Sequence, residues 1–159
     1  MNHPTFQLTA LPPEPFTTHF AKNDSELAAQ GMRRVIADAK PGYPCRVSLD
    51  DAQPGETLLL LAYQHQSALS PYRASGAIFV REHARQAMLA PGEIAQSMRI
   101  RLLSVRAYDA DDMLVGAEVC EGSVIDVRIA AQFAAGNAVY LHLHYARQGC
   151  YACRVNRVG

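Results

Sequence analysis

Histidine and cysteine residues lie close together near the C-terminal end of the chain. His142 and His144 are two positions apart in a predicted strand over 138–145, so their imidazoles share one face, because alternate strand residues point the same way. Cys150 and Cys153 follow after a predicted turn, with the CxxC spacing that lets two thiolates reach one zinc ion. Imidazole and thiolate are ligands that zinc prefers in proteins, so one interpretation of this hairpin is a zinc site.

A complete zinc site needs a further ligand from elsewhere in the chain. The candidate is Cys45, although its CxxC partner position holds Ser48, which is a poor zinc ligand. The predicted ligand set is Cys45, Cys150 and Cys153 with His142 or His144. This set requires a tight turn at 151–152, because a regular strand would direct the two hairpin sulfurs to opposite faces.

Other interpretations of the same residues stay open. Free cysteine behaves as a small hydrophobe and is often buried, so Cys120 and at least one of Cys150 and Cys153 can serve as core filler. His142 and His144 then lie on the polar outer face of an edge strand. A third interpretation is redox chemistry, in which Cys150 and Cys153 alternate between a dithiol and a disulfide. Against it, the pair follows a strand and does not open a helix.

The composition excludes several classes of partner and activity. The chain has 159 residues, with 15 lysines and arginines, 15 aspartates and glutamates, and a formal net charge of zero. It therefore lacks a general attraction to nucleic acid or to anionic membranes, and we expect neither as a partner. The sequence contains no phosphate-binding glycine loop, no nucleophile elbow and no HExxH motif. Whether the protein is an enzyme stays open.

The sequence shows no targeting segment and no membrane-spanning segment. Residues 1–6 contain neither the basic nor the apolar region of a signal peptide. No later stretch approaches the ~18 continuous apolar residues that a membrane span needs. We therefore expect a cytoplasmic protein, in which the cysteines rest as thiols or metal ligands.

The elements that must position these residues mix strands with helices and include hairpins. Their order predicts one compact domain over 1–159, of the α+β class, with a mainly antiparallel sheet and two or three helices. Residues 1–20 are rich in proline and threonine and predict an extended arm with an edge strand at Phe6 to Thr9. Capping-box spacing, apolar stripes and stop signals predict helices over 24–39, 81–89 and 124–135.

Apolar runs and alternating patterns predict the strands. The predicted strands span 57–63, 77–80, 98–107, 113–119 and 138–145. A polar loop over 64–76, which contains His65, separates the first two and is long enough to line a pocket. The strand over 98–107 changes the phase of its alternation, which predicts a bulge near Leu102. An acidic turn over 109–112 closes a hairpin.

Several short pieces of the sequence from Tyr43 onward resemble a known family. The most specific are Tyr43-Pro44-Cys45-Arg46 and Gly149-Cys150-Tyr151-Ala152-Cys153-Arg154-Val155. The others are Pro54-Gly55-Glu56, Ser70-Pro71-Tyr72, Ile78-Phe79-Val80 and Arg106-Ala107-Tyr108-Asp109-Ala110. With these pieces the chain resembles a bacterial family catalogued as a domain of unknown function, number twelve-zero-three. The resemblance implies a compact bacterial cytosolic domain. It also implies a second cysteine in many relatives where this chain has Ser48, and it supplies no mechanism.

Three functions follow as alternatives. The first is a binding or interaction domain with a metal site, for zinc, or a structural thiol site near the C-terminal hairpin. The second is a thiol redox protein or small enzyme that uses Cys150 and Cys153. The third is a non-catalytic module in which the cysteines only pack. Such a module binds a small molecule or associates with itself as a homo-oligomer.

Overall fold

Strands with alternating side chains pair in this chain into two antiparallel sheets. The computed structural model describes residues 6–159. The strands of the larger sheet are β1 (Phe6–Thr9), β5 (Leu102–Tyr108), β6 (Leu114–Glu121), β7 (Tyr140–Tyr145) and β8 (Cys150–Arg157). Those of the smaller sheet are β2 (Arg33–Ile36), β3 (Thr57–Gln66) and β4 (Ala74–Arg81). Their orders are β1-β8-β7-β5-β6 and β2-β3-β4, and all strand pairings are antiparallel. The predicted mainly antiparallel sheet is confirmed.

The helices are short and more numerous than predicted. Within residues 6–159 they are α1 (Glu14–Thr17), α2 (Asp24–Ala29), α3 (Gln96–Arg99) and α4 (Ile125–Ala134). The fold is therefore α+β but rich in sheet. None of these helices is long and apolar enough to cross a membrane.

The larger sheet has one apolar face and one polar, aromatic face. The apolar face packs on α4, whose Ile125, Ile129 and Phe133 are buried in the same cluster as Leu143 and Val155. The opposite face of β7 carries Tyr140, His142 and His144. Alternation along β7 thus separates the core from a row of polar rings.

The smaller sheet packs over part of this polar face. Leu59 and Leu61 of β3 lie in one buried cluster with Tyr151 of β8. At the end of β3, Gln66 Nε2 donates a hydrogen bond of 3.1 Å to the hydroxyl of Tyr140. The histidines of β7 are therefore enclosed between two sheets, and they do not lie on an edge strand open to solvent.

The predicted helix over 24–39 is wrong beyond its first two turns. Its capping box is confirmed, since Asn23 Oδ1 accepts from Glu26 N at 2.8 Å and Asn23 N donates to Glu26 Oε1 at 3.1 Å. The helix ends at Ala29, and the chain then turns at Gly31, whose φ of 75° is readily adopted by glycine. The residues that follow form β2, because pairing with β3 outweighs their weak helical pattern.

The prediction for 81–89 is also wrong. Arg81 ends β4, and His83 has a φ of 61°, which a helix does not allow. The backbone groups of this segment bind neighbouring loops, as Ala87 N donates to Val47 O at 2.8 Å. The side chain of Gln86 also donates, through Nε2, to Ala10 O at 3.0 Å. Tertiary hydrogen bonds here replace those of a helix.

Other predicted elements are confirmed in part. The helix over 124–135 appears as α4, and the acidic turn over 109–112 joins β5 to β6. The predicted strand over 98–107 begins as α3, so its phase change marks a helix-to-strand transition. The irregular pairing of β5 instead falls at Tyr108. In the arm over 1–20, the edge strand Phe6–Thr9 is confirmed, the later part is helical, and residues 1–5 lie outside the described residues.

Candidate metal centre

Three histidine rings meet between the two sheets. His142 and His144 come from β7, and His65 comes from β3 of the smaller sheet. One ring nitrogen from each of the three lies within 4.8 Å of the others. The centroids of His65 and His144 are 4.9 Å apart and those of His65 and His142 are 6.3 Å apart. Among residues 6–159 this is the one group of three or more potential ligands placed to hold a metal ion.

Local irregularity in β3 and an aromatic platform position His65. The pairing of β3 with β4 shifts register between Tyr63 and Gln66, in the stretch that contains His65. The His65 ring stacks on the ring of Tyr151 at 5.4 Å, with only 10° between the planes. Tyr63 also contacts Tyr151, with centroids 6.1 Å apart. Tyr151 of the larger sheet thus fixes the side chains at the end of β3.

Each of the three rings has a buried nitrogen that has no hydrogen-bond partner within residues 6–159. His144 Nδ1 lies 3.0 Å from the carbonyl oxygen of Gly149, and because a carbonyl only accepts, Nδ1 carries the proton. The lone pair of His144 then lies on Nε2, which is buried and has no hydrogen-bond partner within residues 6–159. The Nδ1 atoms of His65 and His142 are also buried without a hydrogen-bond partner in the described chain. Buried polar atoms are normally paired, so three such atoms at one place call for a ligand.

The electrostatics of the site keep the imidazoles neutral. Burial lowers the pKa of His142 to about 3, with smaller contributions from the other two histidines and from Arg154 and Arg106. Burial lowers the pKa of His144 to about 4, although its hydrogen bond to Gly149 acts in the opposite direction. Burial, followed by the charge of Arg106, also lowers the pKa of His65. Neutral imidazole is the form that binds metal.

The three histidines lie within a segment that matches a known family. Residues 42–157 match the family described as "Protein of unknown function (DUF1203)". The chain belongs to the DUF1203 family. This confirms the resemblance drawn from the sequence. No curated protein and no solved structure matches the chain. In the DUF1203 chain the match begins after β2 and includes the strands β3, β7 and β8 that build the site.

In this DUF1203 chain the histidines of β7 lie on one face of the larger sheet. The two cysteines of the predicted hairpin site, Cys150 and Cys153, lie on the opposite face. In β8, Cys150 pairs with Tyr145, and Cys153 pairs with Leu143. Ala152 has no partner, which makes it the extra residue of a bulge. The bulge brings both sulfurs to the apolar face, whereas a regular strand would have separated them and a zinc knuckle would have needed a tight turn. The sheet therefore lies between these sulfurs and the imidazoles of β7.

The predicted ligand set is thus brought together only in part. His142 and His144 meet, and the third member of their group is His65. In the part of the chain that the structure describes, none of Cys45, Cys150 and Cys153 belongs to that group. Cys45 is fully buried in a loop beside β4, where its sulfur accepts from Arg81 N at 3.3 Å. All four cysteines are free thiols.

The surroundings of Cys150 and Cys153 differ. Cys153 is buried, with its sulfur 3.9 Å from Met98 Sδ, and burial raises the pKa of its thiol. That environment suits core packing. Cys150 is half-buried, and its sulfur accepts a hydrogen bond of 3.0 Å from Arg46 Nη2. The two thiols therefore lie in unlike environments.

Sequence reasoning missed His65 as a member of the histidine group because it assigned the residue to a polar loop. In the structure β3 continues to Gln66 and carries His65 on the same face as Leu61 and Tyr63. The alternation of Leu59, Leu61, Tyr63 and His65 is the signal that could have extended the strand.

Proposed function

We propose that this DUF1203 domain binds a divalent transition metal ion, zinc foremost, through His65, His142 and His144. The observation that carries the proposal is the meeting of three neutral imidazoles, each with a buried nitrogen that has no partner within residues 6–159. Imidazole suits zinc, copper, iron and nickel. Three protein ligands leave a fourth position open, as in catalytic zinc sites.

The surroundings of the rings favour this assignment. Histidines that bind metal usually donate their second ring N–H to a carbonyl or carboxylate, which orients the ring. His144 makes such a bond to Gly149, so its Nε2 is directed away from the carbonyl. Zinc–nitrogen bonds of about 2.0 to 2.1 Å set nitrogen atoms about 3.4 Å apart in a tetrahedron. In the group of three histidines, the ligand nitrogens all lie within 4.8 Å of one another, a limit that such a spacing meets.

A metal with an open position gives the site its chemistry. Such an ion polarises a bound oxygen atom and lowers the pKa of bound water. The role of the chain is to hold the imidazoles, with Gly149 orienting His144 and Tyr151 forming the wall beside His65. The site therefore fits a metal-dependent binding or hydrolytic function.

Metal analysis of the untagged protein tests the proposal. After incubation with zinc and removal of the excess, we expect one zinc ion per chain in the wild type. His65→Ala, His142→Ala and His144→Ala each remove a ligand and should abolish this stoichiometry. His83→Ala is the matched control, because the His83 side chain is 90% exposed and lies outside the group. A folded wild type that retains no zinc would refute the proposal.

Cysteine variants distinguish the imidazole site from the mixed thiol and imidazole site. Because the β8 sulfurs lie across the sheet from the β7 imidazoles, Cys150→Ser and Cys153→Ser should retain one zinc ion per chain. Cys45→Ser should do the same, since its sulfur faces the backbone of Arg81. Loss of zinc from these variants, with retention in the histidine variants, would establish the cysteine ligands instead.

A further inference from the structure

Two arginines flank His142 in the larger sheet. The register pairs His142 of β7 with Arg106 of β5 on one side and with Arg154 of β8 on the other. Residues directly opposite each other in an antiparallel sheet share a face, with Cβ atoms about 4.5 to 5.5 Å apart. The three side chains therefore form a row across three strands. Both guanidinium charges contribute to the low pKa of His142, and that of Arg106 acts on all three histidines.

Neither of these arginines has a carboxylate partner among residues 6–159. Arg106 Nε donates to Ser104 Oγ at 3.4 Å, and Arg154 Nε donates to Asn156 Oδ1 at 2.8 Å. Five other arginines do form ion pairs: Arg34, Arg81, Arg99, Arg101 and Arg128. The register therefore places on either side of His142 two guanidinium groups that no carboxylate within residues 6–159 holds.

The carboxylate of Asp112 reaches the end of this face but is engaged there. Its Oδ1 accepts a hydrogen bond of 2.6 Å from the hydroxyl of Tyr140. The guanidinium carbon of Arg154 lies 4.0 Å above the same ring, as a cation–π contact. This contact holds the arginine over the face without neutralising it.

Metal binding would concentrate positive charge at this place. Three neutral imidazoles leave the two charges of the ion uncompensated, and Arg106 and Arg154 add two more. Charges in a partly buried site interact strongly because the local dielectric is low. An anion with several oxygen atoms can satisfy the ion and both guanidinium groups together, and arginine is well suited to phosphate.

We propose that the fourth coordination position of the metal takes a phosphate group that Arg106 and Arg154 also bind. This inference rests on the proposed metal site. A carboxylate offers only two oxygen atoms to three positive groups, whereas phosphate offers one for each. Free phosphate and a phosphate monoester share this chemistry, and the experiment distinguishes them.

The experiment first measures metal and then phosphate. Wild type, Arg106→Gln, Arg154→Gln and the control Arg147→Gln are loaded with Co²⁺, whose visible absorption reports its ligands. Arg147 is exposed in the turn between β7 and β8. Inorganic phosphate, phenyl phosphate and acetate are then titrated calorimetrically into the cobalt-loaded and metal-free proteins. All four proteins should bind one cobalt ion, because none of the changes removes a ligand.

We expect phosphate to bind the cobalt-loaded wild type and the Arg147→Gln control equally. Loss of one charged hydrogen-bond donor should weaken binding about tenfold in each of the other two variants. Acetate should bind more weakly than phosphate. If inorganic phosphate binds more tightly than phenyl phosphate, the ligand is free phosphate, and the reverse order indicates a phosphate monoester. The inference is overturned if cobalt-loaded protein ignores phosphate, if Arg106→Gln and Arg154→Gln bind it as the wild type does, or if metal-free protein binds it equally. Failure to take up cobalt refutes the metal site itself, before any phosphate is added.

Discussion

At the residue scale, His144 combines complete burial with one ring nitrogen that has no partner in the described chain. It is fully buried, its Nδ1 is held by the Gly149 carbonyl, and its Nε2 has no partner in the described chain. In an ordinary core such an atom costs free energy, because water would have paired it in the unfolded state. The cost is offset when a metal ion binds the lone pair.

The low pKa values of His142 and His144 predict acid sensitivity of the metal-free protein. Unfolding returns both rings to a pKa near 6.5. Between that value and the folded pKa values of about 3 and about 4, the unfolded chain binds protons that the native chain does not. The free energy of unfolding should therefore fall as pH falls below about 6.5, by about 2 kcal/mol per ring at pH 5. Urea unfolding at pH 7, 6 and 5 measures this change in the free energy of unfolding.

Comparison of variants isolates the contribution of these rings. His142→Phe removes one buried imidazole and should reduce the pH dependence, while His83→Ala should leave it unchanged because that ring is exposed. A pH dependence in His142→Phe as steep as in the wild type would contradict the assignment.

Arg46 supports a second residue-scale prediction. It is 1% exposed, and it donates to the carbonyl oxygens of Tyr151 and Pro44 and to the sulfur of Cys150. Arg46→Ala leaves these acceptors unpaired in the interior and should lower the free energy of unfolding by about 3 kcal/mol. Arg147→Ala, at an exposed position, should change it by less than about 0.5 kcal/mol. Urea unfolding tests both, and equal stability of the two variants would show that the buried contacts are dispensable.

At the element scale, the bulge in β8 decides which side chains reach the histidines. The strand places Tyr151 against His65 on one face and both Cys150 and Cys153 on the other. A one-residue change in register reverses the faces of the residues beyond it. Because Ala152 is unpaired, Tyr151 and not Ala152 lies opposite His144 and beside His65.

Deletion of Ala152 tests this assignment of faces. The shortened strand would pair regularly, with Tyr151 still opposite His144 and Cys153 still opposite Leu143. We therefore expect the deletion variant to bind zinc at wild-type stoichiometry. Ala152→Gly keeps the bulge and serves as the control, with a cost of about 1 kcal/mol. Loss of zinc from the deletion variant, with retention in the control, would contradict this assignment.

Sequence patterns predicted elements well where the signal was local. The hairpin turn over 109–112, the helix α4 and the shared face of His142 and His144 follow from turn chemistry, an apolar stripe and alternation. The helix ends at Ala29 because the residues that follow pair with β3 as the strand β2. The segment after Arg81 is not helical because its backbone binds distant loops, as Ala87 N does with Val47 O. Such tertiary pairings leave no periodic mark in the segment that they override.

For the same reason, the sequence predicted only the part of the candidate site that lies on β7. The pair on β7 is a local pattern, whereas His65 approaches it only because the smaller sheet packs on the larger. The bulge at Ala152 was not predictable either, because it has no glycine or other turn residue to mark it. Cys45 could not be placed relative to the hairpin, since their spacing in sequence carries no distance in space.

At the scale of the whole molecule, the histidines lie where the two sheets meet. At this end the hydrogen bond from Gln66 to the Tyr140 hydroxyl joins the two sheets. A metal ion bound by both β3 and β7 would therefore act as a link between sheets. Such a link stabilises only the folded chain.

Zinc should consequently raise the melting temperature of the wild type. At a zinc concentration about 100 times Kd, binding adds about 2.7 kcal/mol, which for a chain of this size is about 5 to 10 °C. His65→Ala cuts the link on the smaller sheet and should show no comparable rise. Circular dichroism at increasing zinc concentration provides the measurement, and an equal rise in the variant would place the stabilising ion elsewhere.

The contribution of histidines from both sheets also sets when the ligand group can exist. A growing polypeptide exposes His65 long before β7 and β8 emerge, and until then a single imidazole would hold metal weakly. Capture of the proposed ion would therefore await docking of the two layers, so it would come late in the folding reaction, after apolar packing has brought the sheets together.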